Sequence, residues 1–421
     1  MSLPRYQKYK DSSVQWLGAV PEHWQVGPFK RLVELQNGAD HKTIEVDDGY
    51  PVYGSGGVFA YASDYLCDGE SVLLGRKGTV DRPLHVTGKF WTVDTMYWTR
   101  IAPDACGKFC YYAATAIPFA YYSTNTALPS MTQAALGAHL MAFPGKEEQQ
   151  AIATFLDRET AKIDALIVEQ ERLLVLLAEK RQATIFHAVT KGLNPDAPMK
   201  DSGILWLGEV PAHWDIGPLR RYWSVTDCKH ITADFVDDGY PLASIREVQS
   251  RFVVLDAAKQ TTQLFYEQLI EGGREPSAGD LVFSRNATVG EVAQVSDAHP
   301  PFAMGQDVCL LRKASAQYSS DYMQAVIRSG VVVEQLKSIM VGSTFKRVNV
   351  EQIRGLQVPA PPPGEQVQIA DFILCEGRSL DMLEIEALRA IDLLKERRSA
   401  LIAAAVTGQI DVRGTADGQA A

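Results

Sequence analysis

Residues 11–31 and 201–221 are two copies of one segment. Twelve of the 21 positions are identical at a constant offset of 190, where chance supplies one or two. The shared residues include Trp16-Leu17-Gly18, Val20-Pro21, His23-Trp24 and Gly27-Pro28 in the first copy. Trp206-Leu207-Gly208, Val210-Pro211, His213-Trp214 and Gly217-Pro218 answer them in the second. The same offset carries Val46–Pro51 onto Val236–Pro241. A chain built this way has to fold as two related halves presenting one kind of surface twice, and that suits a ligand with two parts.

A second register runs at an offset of 217. It matches Glu148-Gln149, Ile152-Ala153 and Phe155 to Glu365-Gln366, Ile369-Ala370 and Phe372, and Ala188-Val189-Thr190 to Ala405-Val406-Thr407. The second copy has therefore gained 27 residues net between its matched ends. The order is a matched opening, a divergent middle and a matched closing segment, then all of it again. The period far exceeds the 20 to 50 or so residues of solenoid repeats.

The closing segments predict long amphipathic helices. Ile152, Phe155, Leu156, Ile163, Leu166, Ile167, Leu173, Leu174, Leu177 and Ile185 fall on one helical stripe. Ile369, Phe372, Ile373, Leu380, Leu383, Leu388, Ile391, Leu394, Leu401 and Ile402 form the second. Each stripe needs an apolar partner. The simplest is the other helix, in an antiparallel coiled coil; the alternative is that each packs on its own half. The middles instead show short apolar runs between Gly, Asp and Pro: Ser71–Leu74, Phe90–Val93, Met96–Trp98, Leu281–Ser284 and Val308–Leu311. These predict strands, with an occasional helix such as 321–339. The class is α+β.

The chemistry of catalysis is mostly missing. There is no phosphate-binding G-x-x-x-x-G-K-[ST] loop. Asn194-Pro195 is followed by Asp, unlike the Asn-Pro-Pro-aromatic loop of amino-methyltransferases, and no glutamate begins the Glu-x-Lys of restriction nucleases. His23 and His213 recur within a Trp- and Pro-rich opening that reads as a packed corner, without companions for a triad. The six cysteines lack zinc or redox spacing. No apolar run is long enough for a membrane span, and residues 1–10 lack a signal peptide's apolar region, so a cytoplasmic location is expected.

Recognition chemistry remains. Gly69–Thr79 and Gly279–Thr288 each read as a strand ending in a turn that carries an arginine, Arg76 or Arg285. Such an arginine can grip phosphate, read guanine with two hydrogen bonds, or pair with a neighbouring acid. Ser343-Thr344-Phe345-Lys346-Arg347 is a basic loop suited to phosphate, or simply to solvent. Charge argues against strong binding by the chain alone. The molecule carries a net −10, and the middles are near neutral, with 9 Lys+Arg against 11 Asp+Glu in 26–145 and 15 against 16 in 216–360. Local clusters, or a partner, have to supply phosphate-binding charge.

These motifs resemble the specificity subunit of Type I restriction–modification enzymes, over nearly the whole chain. The resemblance rests on W-L-G-x-V-P-x-H-W opening each half (Trp16–Trp24, Trp206–Trp214) and on E-Q-x-x-I-A-x-F segments (Glu148–Phe155, Glu365–Phe372) running into long helices. The plain Pro144-Gly145-Lys146, where the second half has Pro361-Pro362-Pro363, is a small departure. The resemblance implies tandem halves, each an α/β target recognition domain followed by a long helix. Its expected boundaries are a first recognition domain at 1–146 and a central spacer helix at 147–193. A second recognition domain at 194–363, a distal spacer helix at 364–412 and a flexible tail at 413–421 follow.

It further implies a non-catalytic subunit that reads a bipartite double-stranded DNA target. Two methyltransferase subunits dock on it and restriction/translocase subunits join them. S-adenosylmethionine, ATP and Mg are expected on those partners only, and neither a metal nor a membrane on this chain. A solitary DNA-binding or interaction module is the runner-up; a complete hydrolase or methyltransferase is disfavoured by the missing motifs. The family has no portable base-contact motif. The candidate DNA-binding residues are Lys42, Arg76, Lys77, Thr79, Arg82, Lys229, Arg246, Arg285, Asn286, Thr288, Ser343, Thr344, Lys346 and Arg347.

Overall fold

A computed structural model describes residues 4–77, 79–119, 130–340 and 347–415. Its compact units do not follow chain order. One comprises residues 1–171 with 388–421, the other 172–387. Each unit therefore holds one mixed α and β head and a stretch of both long helices, Lys146–Lys191 and Pro363–Val406.

In the first unit the opening folds as a two-stranded ribbon, Tyr9–Asp11 against Ala19–Pro21. The strand Gln25–Pro28 then pairs antiparallel with Leu140–Phe143, closing the head just before the helix begins. Inside this frame lies a four-stranded sheet in the order Leu84–Val86, Ser71–Gly75, Met96–Ile101, Val33–Asn37. A five-stranded sheet stands beside it, containing the hairpin Tyr50–Gly54 and Gly57–Ala62.

The second unit repeats this plan. Met199–Asp201 pairs with Glu209–Pro211, and Asp215–Pro218 with Gln357–Ala360. Its sheet runs Val292–Gln294, Leu281–Ser284, Val308–Lys313, Trp223–Asp227, the same order as in the first. The added residues have visible sites. The tight Gly54–Gly57 turn is replaced by the longer 244–259 connection, and the helix Gln263–Ile270 has no counterpart among the described residues of the first head. The helix expected over 321–339 is two helices, Ser320–Arg328 and Gly330–Met340. The break falls at Ser329, whose hydroxyl donates to the Val326 carbonyl and competes with the helical ladder.

Both matched motifs have a structural reason to recur. His23 Nε2 lies 2.8 Å from Glu148 Oε2, while Tyr6 and Trp24 donate to Glu148 Oε1 at 2.8 and 3.1 Å. In the second unit His213 Nε2 lies 2.8 Å from Glu365 Oε2. The adjacent glutamines act as buried clamps. Gln149 donates to the Pro144 carbonyl and accepts from the Cys106 N–H at the start of the helix Gly107–Thr115. Gln366 does the same with Pro361 and with Ser319, before the helix Ser320–Arg328. Each opening tryptophan is buried against a helix end: Trp24 with Ala405 and Val406, Trp214 with Ala188 and Val189. Gly408 and Gly192 lie just beyond those ends at φ 73°, a conformation that suits glycine, and a Cβ on Gly408 would fall 2.4 Å from Pro21.

The long helices pack together and run antiparallel. Asp164 pairs with Arg398, and Arg181 with Asp381, so rising numbers on one helix meet falling numbers on the other. The two clasps are related by the 217-residue offset. Ile152, Phe155 and Leu156 join the first core, and Ile369 and Ala370 the second. Both expected partners of the stripes are thus used, the other helix and the head. Leu166, Leu173, Phe372, Leu383 and Leu388 nevertheless remain exposed. Of the expected tail, Arg413 is anchored on Asp411 and over the Tyr6 ring, while 416–421 lie outside the described residues.

Candidate nucleic-acid interface

In each head the strand next to the sheet's outer member ends in a turn that meets the return of the chain. Arg76 and Lys77 follow Ser71–Gly75, and residues 285–288 follow Leu281–Ser284. Arg76 N donates to Thr95 O at 2.8 Å, as Arg285 N does to Asp307 O. Met131 N donates to Arg76 O at 3.0 Å, and Val348 N to Arg285 O at 3.0 Å. Isolated bridges Lys77–Ser130 and Asn286–Arg347 complete two junctions of one geometry.

The side chains at these junctions differ. In the first head Arg76 is half-buried and donates to the Asp94 carbonyl at 3.3 Å, with its guanidinium 6.0 Å from the Tyr97 ring. Lys77, Thr79 and Arg82 are exposed beside it. Lys42 is also exposed, but on another loop, its N–H bonded to Asp40.

In the second head Arg285 is 3% exposed, with Nη2 2.8 Å from Asp227 Oδ1. That ion pair lacks hydrogen-bond geometry, and Arg285 Nε has no hydrogen-bond partner among the described residues. Of the roles open to a strand-end arginine, Arg285 takes the pairing with a neighbouring acid: Asp227 draws it into the head. Asn286 turns its own side chain back to the Ala287 N–H, and Ala287 sits at φ 55°. The Thr288 hydroxyl is engaged by Ser284 and Gln249. Arg347 is half-exposed, 3.6 Å from Asp307. Lys229 is tied to Glu271. Ser343, Thr344 and Lys346 lie outside the described residues.

Arg246 lines a cavity of about 340 Å³ in the second head, with Lys259, Phe235, Leu242 and Met304. Lys259 Nζ stands 4.1 Å over the Phe235 ring. The reading from sequence missed this lysine, because its partner ring is 24 residues away with no shared motif. Asp227, Cys228 and His230 place ligand-type atoms within 4.8 Å of one another. Asp227 is paired with Arg285 and lies 3.6 Å from His230 Nε2, and burial, then the Asp227 charge, pushes the Cys228 thiol up.

The two heads share one frame and one junction geometry and differ at their tips. The comparison with known families agrees. Residues 21–172 and 257–374 match the family model described as the Type I restriction modification DNA specificity domain, and the chain belongs to that family. Membership makes it a DNA-specificity component rather than the catalytic one.

It is 26% identical over 164 residues to the Type I restriction enzyme EcoprrI specificity subunit of Escherichia coli; the match spans 38% of this chain and 41% of that relative. In fold it is similar to a chain from a structure describing complex assembly and conformational transition of the type I R-M system. That likeness has a TM-score of 0.64 at 14% identity, over 92% of this chain and 98% of the other. It is also similar to the HsdS subunit from Thermoanaerobacter tengcongensis, with a TM-score of 0.52 at 13% identity over 93% and 98%. Among the described residues no helix is long and apolar enough to cross a membrane.

Proposed function

We propose that this chain is the specificity subunit of a Type I restriction–modification complex acting in the cytoplasm. Each head reads one half of a split double-stranded DNA target, and the paired helices dock two methyltransferase subunits, which restriction/translocase subunits join. S-adenosylmethionine, ATP and Mg act on those partners. One observation carries the reading: the two junctions have the same backbone bonds and different side chains, as two readers of two different sequences need. Apolar residues left open on the long helices, among them Leu166, Val168, Val175, Met382 and Ile385, support the docking role, since such surface on a stable element calls for a partner. The near-neutral heads fit a clamp whose phosphate-binding charge comes largely from elsewhere.

Co-expression with the cognate methyltransferase subunit, followed by sequencing of methylated DNA, tests this. The expected product is methylation at two short blocks around an unspecified gap, with weak binding by the chain alone. Methylation over one continuous block, or none, counts against the proposal.

A further inference from the structure

The junctions place a guanidinium at the surface of both heads, but from opposite strands of the turn. In the first head it comes from Arg76, and Ser130 occupies the facing position. In the second head Arg285, the equivalent of Arg76, is buried, and Arg347 occupies the position facing the turn. Arg347 keeps 52% of its side chain exposed.

The cause lies one strand away. Strands Val33–Asn37 and Trp223–Asp227 are equivalent, with Asn37 opposite Tyr97 and Asp227 opposite Cys309. Where the second head has a carboxylate the first has a neutral amide. The Asp227 carboxylate is partly exposed, but its Oδ1 is buried and calls for a cation, and Arg285 is within reach. The next residue helps. Cys228 leaves room for Arg285 Nη2 at 3.8 Å from its sulfur, whereas Gly38 at that place in the first head packs directly on the Val93 carbonyl, where a Cβ would fall 2.0 Å away. The other Asp227 oxygen faces His230 Nε2 at 3.6 Å. Asn37 offers no charge, so Arg76 stays at the rim.

We propose that the DNA-contacting guanidinium has changed places between the heads. Arg76 contacts a base edge in the first half-site and Arg347 one in the second, while Arg285 is a structural residue, tied inside the head to Asp227. This rests on the chain being a DNA-reading subunit, and it names which residue reads in each head.

The test uses the full chain in complex with its methyltransferase subunits, on a DNA library randomised at both half-sites, together with thermal denaturation. R76A relaxes one position of the first half-site only, and R347A one position of the second only, each lowering base discrimination by about tenfold or more. The double variant D227N/R285Q replaces the Arg285–Asp227 ion pair by neutral groups. It lowers the denaturation midpoint and leaves both half-site sequences as in the wild type. The inference is overturned if R347A reads its half-site as sharply as the wild type, if R76A does so, if either variant relaxes both half-sites or merely weakens all sequences, or if the double variant relaxes the second half-site. An active wild type with an unaffected R347A defeats this inference alone. A wild-type complex that methylates no split site defeats the proposed function as well.

Discussion

Glu148 and Gln149 show how neighbouring side chains can hold two different parts of a fold. Glu148 faces the opening motif, and Gln149 faces the first helix of the head. Gln149 is 1% exposed and satisfies a backbone carbonyl and a backbone N–H at once. Gln149→Ala strands both groups, at a cost of about 1–3 kcal/mol each. Chemical denaturation should register a loss of at least about 2 kcal/mol, and Gln366→Ala should match it; a loss under about 0.5 kcal/mol would refute the clamp.

Asp411 yields a prediction with pH. The hydrogen bond from Arg413 is the main reason its carboxyl titrates below the ordinary aspartate range, against the opposing effect of burial. A depressed folded-state pKa stabilises above the ordinary value, and the gain is lost as pH falls through the folded one. Arg413→Ala should therefore lower stability at pH 7 and have little effect near pH 2. An equal effect at both pH values would mean that Arg413 acts by packing alone.

The long helices owe their form to more than their stripes. Their ends are buried in the head cores, while their middles carry the two symmetry-related clasps and open apolar residues. Exposed ion pairs of this kind contribute about 0.2–1 kcal/mol each, so the clasps set register more than stability.

An insertion experiment follows from that register. Four residues added near Glu169 lengthen the central helix by about 6 Å and turn its downstream face by about 40°. They also shift one clasp against the other. Four more added near Glu386, the equivalent position on the distal helix, restore both. With B-DNA rising about 3.4 Å per base pair, the paired insertion should widen the gap by one or two base pairs, with both half-sites unchanged. An active double insertion that keeps the original gap would show that these helices do not set the spacing.

For the molecule as a whole, the duplication matters because each unit contains its own head, its own opening and stretches of both helices. The two heads share a sheet order, and their joints with the frame are the same strand pairs. Replacing residues 26–145 with the corresponding middle of a relative cuts the chain within the pair Gln25–Pro28 with Leu140–Phe143 and just before the central helix. Such a chimera should change one half-site and leave the other, as read from sequenced methylated DNA. Change in both would mean that the heads are energetically coupled.

Much of this architecture was legible in the linear chain because its signals are local. Helical stripes, strand runs and the two offsets depend on residues close in sequence or on simple repetition, and the paired W-L-G-x-V-P-x-H-W and E-Q-x-x-I-A-x-F motifs carried the family. The proposed reading residues were not legible in the same way. Arg76 and Arg285 stand in matching turns, and no local pattern separates them. Their fates part because a carboxylate at position 227, nearly sixty residues before Arg285, pairs with it, where the equivalent strand position in the first head holds Asn37. Which charge is neutralised inside and which is left for a ligand depends on desolvation and on pairing across strands. Those energies exist only once the sheet has brought the residues together.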